Sequence, residues 1–187
     1  MNEEQIKKRF ISTILEISNQ VKRNSEIIDT NSCLKLINFI IEIHKEKNRV
    51  FIYGAGRSGF VGRCFAQRLM HLGINSCFVS DAITYQYNKK DLLVLISGSG
   101  ETTSPVAIAQ KAKKIGGKIA LLTGNLNSTI GKLSDCVIKI EGKSKDIAIS
   151  QETLALYEFV RYFCIIGSRF YRRDYNEYSR RNGSRYR

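Results

Sequence analysis

Three hydroxyls and two glycines fall within six residues of this chain, Ser97-Gly98-Ser99-Gly100-Glu101-Thr102. Glycine lets backbone approach an anion closely, and the Ser97, Ser99 and Thr102 hydroxyls can donate hydrogen bonds to it. Thr103-Ser104-Pro105 follows as a helix start, with a cap candidate and an early proline. The first N–H groups of such a helix have no intrahelical acceptor, and its dipole places partial positive charge at the same point. The chemistry predicted is phosphate binding, with Ser97, Gly98, Ser99 and Thr102 as ligands. A serine-rich turn that only caps its helix is the plainer alternative. The Walker pattern is excluded, because no Gly-Lys-Ser/Thr follows. Glu101 would repel a phosphate if it faced inward, so it is expected outside the cradle.

A second glycine turn, Gly54-Ala55-Gly56-Arg57-Ser58-Gly59, satisfies the dinucleotide pattern G-x-G-x-x-G. Asp81 lies near where a ribose-binding acid would stand. Against a dinucleotide-binding module stand the nearly fifty residues of helix ahead of the turn and a chain short for cofactor and substrate domains together. Such a site also leaves the hydroxyl-rich turn without a role. Gly56 and Ser58 are candidate ligands here, Ser58 being equally suited to cap its helix. Arg57 could stabilise a developing oxyanion or contact phosphate, or be a solvated loop charge.

Both turns need strands to deliver them. Leu92-Leu93-Val94-Leu95-Ile96 is an unbroken apolar run, as expected of a strand buried on both faces. Further strands are predicted over 49–53, 76–80, 118–123 and 136–140. Helices are predicted from Ile6 to Val21 (about five turns) and from an Asp29-Thr30-Asn31-Ser32 cap, with Leu34, Ile37, Ile40 and Ile41 on its apolar side. Others run through Phe60–Leu72 to Gly73 and through Val106–Ile115 to Gly116-Gly117, and a last begins at Ser150. Strands alternating with helices imply an α/β fold with a mostly parallel five-stranded sheet. Both glycine turns then follow strand C-termini, where open α/β sheets bind their ligands.

Length and charge narrow the class. A chain of 187 residues fits one domain, expected over 1–170 with the early helices at 3–47, and a basic tail over 171–187. The net charge is +13; from Ser168 onward seven arginines against Asp174 and Glu177 give +5, leaving +8 for the body. The tail interleaves tyrosines with arginines, a pattern compatible with non-specific nucleic-acid contact, though a solubilising end is the commoner meaning. Five scattered cysteines (33, 64, 77, 136, 164) and two histidines offer no zinc spacing, and the odd count points to reduced thiols. No apolar run long enough to span a membrane occurs. The expected location is the cytoplasm.

Ser97-Gly98-Ser99-Gly100-Glu101-Thr102 resembles the Ser-x-Ser-Gly-x-Thr phosphate turn of sugar isomerase (SIS) domains. The first glycine turn, Arg63-Cys64-Phe65-Ala66 and Arg68-Leu69-Met70-His71-Leu72-Gly73 are similar to one branch, the 6-phospho-3-hexuloisomerases. The resemblance implies a three-layer, doubly wound, flavodoxin-like sheet of five parallel strands and a homo-oligomer, commonly a tetramer, with sites near subunit boundaries. It implies interconversion of 3-hexulose 6-phosphate and fructose 6-phosphate through an enediol, with no metal and no organic cofactor. The implied functional partner is 3-hexulose-6-phosphate synthase. Over 144–152 the chain is shorter than the branch's Met-Gly-Thr-x-Phe-Glu-like stretch and lacks its Gly-Thr, while Glu152 keeps the carboxylate position. A catalytically silent sugar-phosphate sensor or another phosphosugar isomerase is the alternative within the superfamily.

Moving a carbonyl by one carbon needs a base, and Glu152 is the candidate; its plain role is a first-turn acid at a helix N-terminus. His71 could shuttle protons or assist ring opening, or simply satisfy carbonyls at its helix end or pack at an interface. His44 reads as an ordinary helix-surface residue.

Overall fold

The structure, a computed structural model, describes residues 2–142. The described residues form five helices and five strands, with no helix between β2 and β3: α1 (Glu3–Ile27), α2 (Thr30–Lys45), β1 (Val50–Gly54), α3 (Arg57–His71), β2 (Ser76–Phe78), β3 (Leu92–Ile96), α4 (Thr103–Ile115), β4 (Lys118–Thr123), α5 (Thr129–Leu133) and β5 (Cys136–Lys139). All four strand pairings are parallel, in the order β2-β1-β3-β4-β5. The doubly wound five-stranded sheet read from the sequence is therefore present.

β3 is the central strand and every residue of it is buried. Its side chains alternate between two cores, as strand geometry requires. Leu92, Val94 and Ile96 meet α2 and α3 through Leu36, Ile40, Ile43, Val61, Phe65 and Leu69. Leu93 and Leu95 meet α4 and α5 through Ala109, Ala112 and Ile130. Each fully buried aliphatic side chain contributes about 1.5–3 kcal/mol, so the two helical layers are held chiefly by burial.

Several expectations are corrected. The first helix runs seven turns rather than five, opened by a capping box in which Asn2 and Gln5 bond each other's backbone N–H groups. Its apolar stripe is not covered among the described residues: Phe10 is 66% exposed, and Ile6, Ile14 and Leu15 are about half exposed. What fastens α1 is polar. Asn24, buried, donates to the Glu141 carbonyl at 2.9 Å and accepts the Glu141 N–H at 2.8 Å. On α2 the Asp29 cap is as expected, its side chain accepting the Asn31 N–H. The buried stripe, however, is Leu36, Ile40 and Ile43, and Leu34 faces solvent.

β2 is shorter than predicted. After the Val79 N–H reaches the Ile52 carbonyl, the chain turns, with the Asp81 N–H returning to the Phe78 carbonyl. A polar connection without a helix then leads to β3, pinned by Tyr87. Its ring meets Phe51 edge-on at 5.1 Å and its hydroxyl donates to the Lys118 carbonyl at 3.2 Å. The helix predicted from Ser150, Glu152 and the basic tail lie outside the described residues.

Candidate functional site

The register between β1 and β3 builds the site. Gly54 pairs with Ile96, so both strands end level and the two glycine turns emerge side by side. α3 then crosses one face of the sheet and α4 the other. This is a topological switch point, where an open α/β sheet leaves a crevice between diverging turns.

The first turn is shaped by close approach. A Cβ on Gly54 would lie 2.8 Å from backbone atoms of Ser58 and 2.9 Å from the Ile96 carbonyl oxygen. A Cβ on Gly59 would lie 2.7 Å from the Gly54 carbonyl oxygen. Both glycines let α3 seat directly on the strand ends. Gly56 serves differently: its φ of 55° is left-handed, and nothing lies within 4 Å of where a Cβ would be. It is the N-cap of α3 and supplies no side-chain bond, which corrects Ser58 as the cap. Arg57 and Ser58 are the first two helical residues, and Arg57 is exposed.

The second turn is held by its own hydroxyls. The Gly100 N–H donates to Ser97 Oγ and the Glu101 N–H to Ser99 Oγ, both at 3.2 Å. Ser97 is buried, so its hydroxyl first braces the turn and has its own proton left to donate. Ser99 and Gly98 are exposed, with open space beside the Gly98 Cα. Thr102 is the N-cap of α4 and its side chain caps nothing. Thr103 and Ser104 therefore open α4 with unmet N–H groups, and Pro105, third in the helix, has none to satisfy.

The carbonyls of this turn point elsewhere. Gly98 O accepts from the Gly124 N–H at 2.9 Å and from Thr123 Oγ1 at 3.1 Å. Gly100 O accepts the Ile130 N–H at 3.2 Å. Their negative ends thus face β4 and α5, leaving donors toward the crevice. Three helices, α1, α2 and α5, are capped by Asn2, Asp29 and Ser128, whereas α3 and α4, the two that open at the switch point, have no side-chain cap. Such an arrangement suits an anion.

Glu101 lies outside the cradle, as expected. Its Oε1 accepts the Thr129 N–H of α5 at 2.7 Å. Hydrogen bonding from Thr129, by its side chain first and its backbone second, holds the carboxyl below the ordinary carboxylate value. α5, five residues long, was not anticipated; Ser128, which accepts the Gly131 N–H, is the cap signal that marks it.

His71 is not brought to the crevice within the chain. It ends α3, and fifteen helical residues carry it about 22 Å from the first turn, to the end of the sheet where the parallel strands begin. Asp81, the rival ribose acid, is already ion-paired with Arg63, whose guanidinium also covers the Phe78 ring at 4.1 Å. Glu152 lies outside the described residues.

The family model of the SIS domain matches residues 42–162, which contain both turns. The chain belongs to the SIS-domain family. Within it the chain resembles proteins named 3-hexulose-6-phosphate isomerase. One from Bacillus subtilis is 38% identical over 71% of this chain and 70% of its own length. Another, from Methanocaldococcus jannaschii, is 47% identical over 58% of this chain and 59% of its own length. A Methanococcus jannaschii crystal structure from which that same function was inferred has a TM-score of 0.70 at 35% identity, covering 86% of this chain and 89% of that one. In this SIS domain, then, two of the three G-x-G-x-x-G glycines, Gly54 and Gly59, serve strand–helix packing. Among the described residues no helix is long and apolar enough to cross a membrane.

Proposed function

We propose that this SIS-domain protein is a sugar-phosphate isomerase that interconverts 3-hexulose 6-phosphate and fructose 6-phosphate. The observation that carries the reading is the level ending of β1 and β3, which sets the serine turn beside a second uncapped helix N-terminus. The named relatives support the choice of sugar. In this reading Ser97, Ser99, Thr102 and the first N–H groups of α4 hold the phosphate, and Gly98 allows its close approach. The sugar extends across the crevice toward Gly56, Arg57 and Ser58.

Isomerisation takes a proton from C2 of the 3-hexulose, forms a 2,3-enediol and returns a proton to C3. The oxygen on C3 gains negative charge in the first step. Arg57 and the N-terminus of α3 are the groups on this chain suited to stabilise it. Glu152 is the proposed base; a carboxylate held near apolar groups is raised toward working pH. His71 enters the reaction only from a second copy, and the uncovered apolar stripe of α1 supports a homo-oligomer, a tetramer in our reading.

Calorimetric titration with fructose 6-phosphate, NAD and ATP in parallel tests the reading, together with solvent-deuterium exchange into fructose 6-phosphate. Saturable binding of the hexose phosphate with exchange is expected. Ser99→Ala should weaken that binding by about 1.5–3 kcal/mol, the scale of a hydrogen bond to a charged group. Binding of NAD with indifference to the hexose phosphate overturns the reading. Tight hexose phosphate binding with no exchange makes the protein a sensor instead.

A further inference from the structure

The phosphate turn has a brace that its own motif does not supply. Glu101 sits between Gly100 and Thr102, at the point where a carboxylate is least welcome beside a phosphate dianion. Its Oε1 accepts the Thr129 N–H at 2.7 Å, across 28 residues of sequence. Next to it, Gly100 O accepts the Ile130 N–H at 3.2 Å, so two successive turn residues grip the first two residues of α5. The fit is tight as well as bonded. A Cβ on Gly100 would lie 2.1 Å from Ser128 Oγ, the hydroxyl that caps α5. Lys132, one turn further along α5, adds a favourable charge on the same side.

We propose that Glu101 is a positioning residue: by capping α5 it fixes the phosphate turn and keeps its own charge turned from the ligand. The inference rests on the proposed phosphate site and adds a residue that binds no substrate. α5 has to be present for the clamp, although it contributes nothing to the sheet. The binding donors stay on one side of the turn because the Gly98 and Gly100 carbonyls and the Glu101 carboxylate are engaged on the other.

Three variants of the full chain test it by titration with inorganic phosphate and with fructose 6-phosphate, alongside thermal unfolding. Glu101→Gln keeps an acceptor for the Thr129 N–H and should bind within about twofold of the parent. Glu101→Ala removes it and should bind roughly tenfold more weakly, with KM moved more than kcat. Thr129→Pro deletes the N–H itself and, with it, the Thr129 side-chain bond to Glu101. Proline is tolerated at the first position of a helix, and Ser128 before it already has the extended conformation that proline requires (φ −77°, ψ 164°). This variant frees a charged Glu101 beside the phosphate, so it should bind at least as weakly as Glu101→Ala.

Tighter binding by Glu101→Ala would show the carboxylate facing the ligand and overturn the proposal. So would a lower unfolding temperature with unchanged affinity, which is a purely structural role. Glu101→Gln as weak as Glu101→Ala would make charge, not the clamp, the cause. A parent that binds neither phosphate nor fructose 6-phosphate overturns the site reading itself, whereas a binding parent with three parent-like variants overturns the clamp alone.

Discussion

Replacing Gly100 by alanine probes the cradle most directly. Gly100 has φ +66°, and its missing Cβ would collide with Ser128 at 2.1 Å from Oγ and 2.5 Å from Cβ. Two costs follow. Holding alanine in a left-handed conformation costs about 1–2 kcal/mol. Pushing Ser128 aside breaks its bond to the Gly131 N–H, and loss of an N-cap costs roughly 0.5–2 kcal/mol. Together these give a destabilisation of about 1.5–4 kcal/mol.

Gly73 supplies the control, with φ +78° and nothing within 4 Å of its virtual Cβ. Gly73→Ala should cost only the conformational part, about 1–2 kcal/mol. Urea unfolding reads both, through the midpoint at constant m-value. Titration with fructose 6-phosphate separates them further, since only Gly100 belongs to the phosphate turn. Equal midpoints for the two variants would mean that Ser128 yields at no cost. A Gly100→Ala protein with parent-like stability and affinity would refute the packing described for the turn.

Asn24→Ala should cost about 1–2 kcal/mol, because the Glu141 N–H loses its side-chain partner while the C=O keeps Gln20 Nε2 at 3.1 Å; circular dichroism during urea unfolding would show it. Tyr87→Phe should be mildly destabilising at neutral pH, by about 0.5–1.5 kcal/mol for the lost bond to Lys118. Burial, then the Asp91 and Asp135 charges, push the Tyr87 phenol up. The stability tied to that shift is present below about pH 10 and falls as pH rises beyond it, so the parent should lose more stability than Tyr87→Phe between neutral pH and pH 11. Glu152→Gln should lower turnover on the order of 10²–10⁴-fold with hexose phosphate affinity little changed; near-parent turnover would remove Glu152 from the mechanism.

What the sequence by itself determined is local. Leu92 to Ile96 reads as a buried strand, Ala55-Gly56 and Ser97–Gly100 read as turns, and Asp29 and Gly116 mark a helix start and a helix stop, because each rests on backbone preferences within one turn of chain. The phosphate cradle was legible for the same reason: its ligands are consecutive. On α2 the sequence pointed to Leu34, Ile37, Ile40 and Ile41, whereas packing against the sheet buries Leu36, Ile40 and Ile43 and leaves Leu34 exposed. α5 is too short to show a helical period, and its tie to Glu101 joins residues 28 apart in sequence. The distance between His71 and the turns was hidden as well, since a motif records order along the chain and not which end of a 15-residue helix meets the site. Strand order and register belong to the tertiary structure alone. They depend on which apolar faces bury one another, and they decide that two turns forty residues apart open onto one crevice.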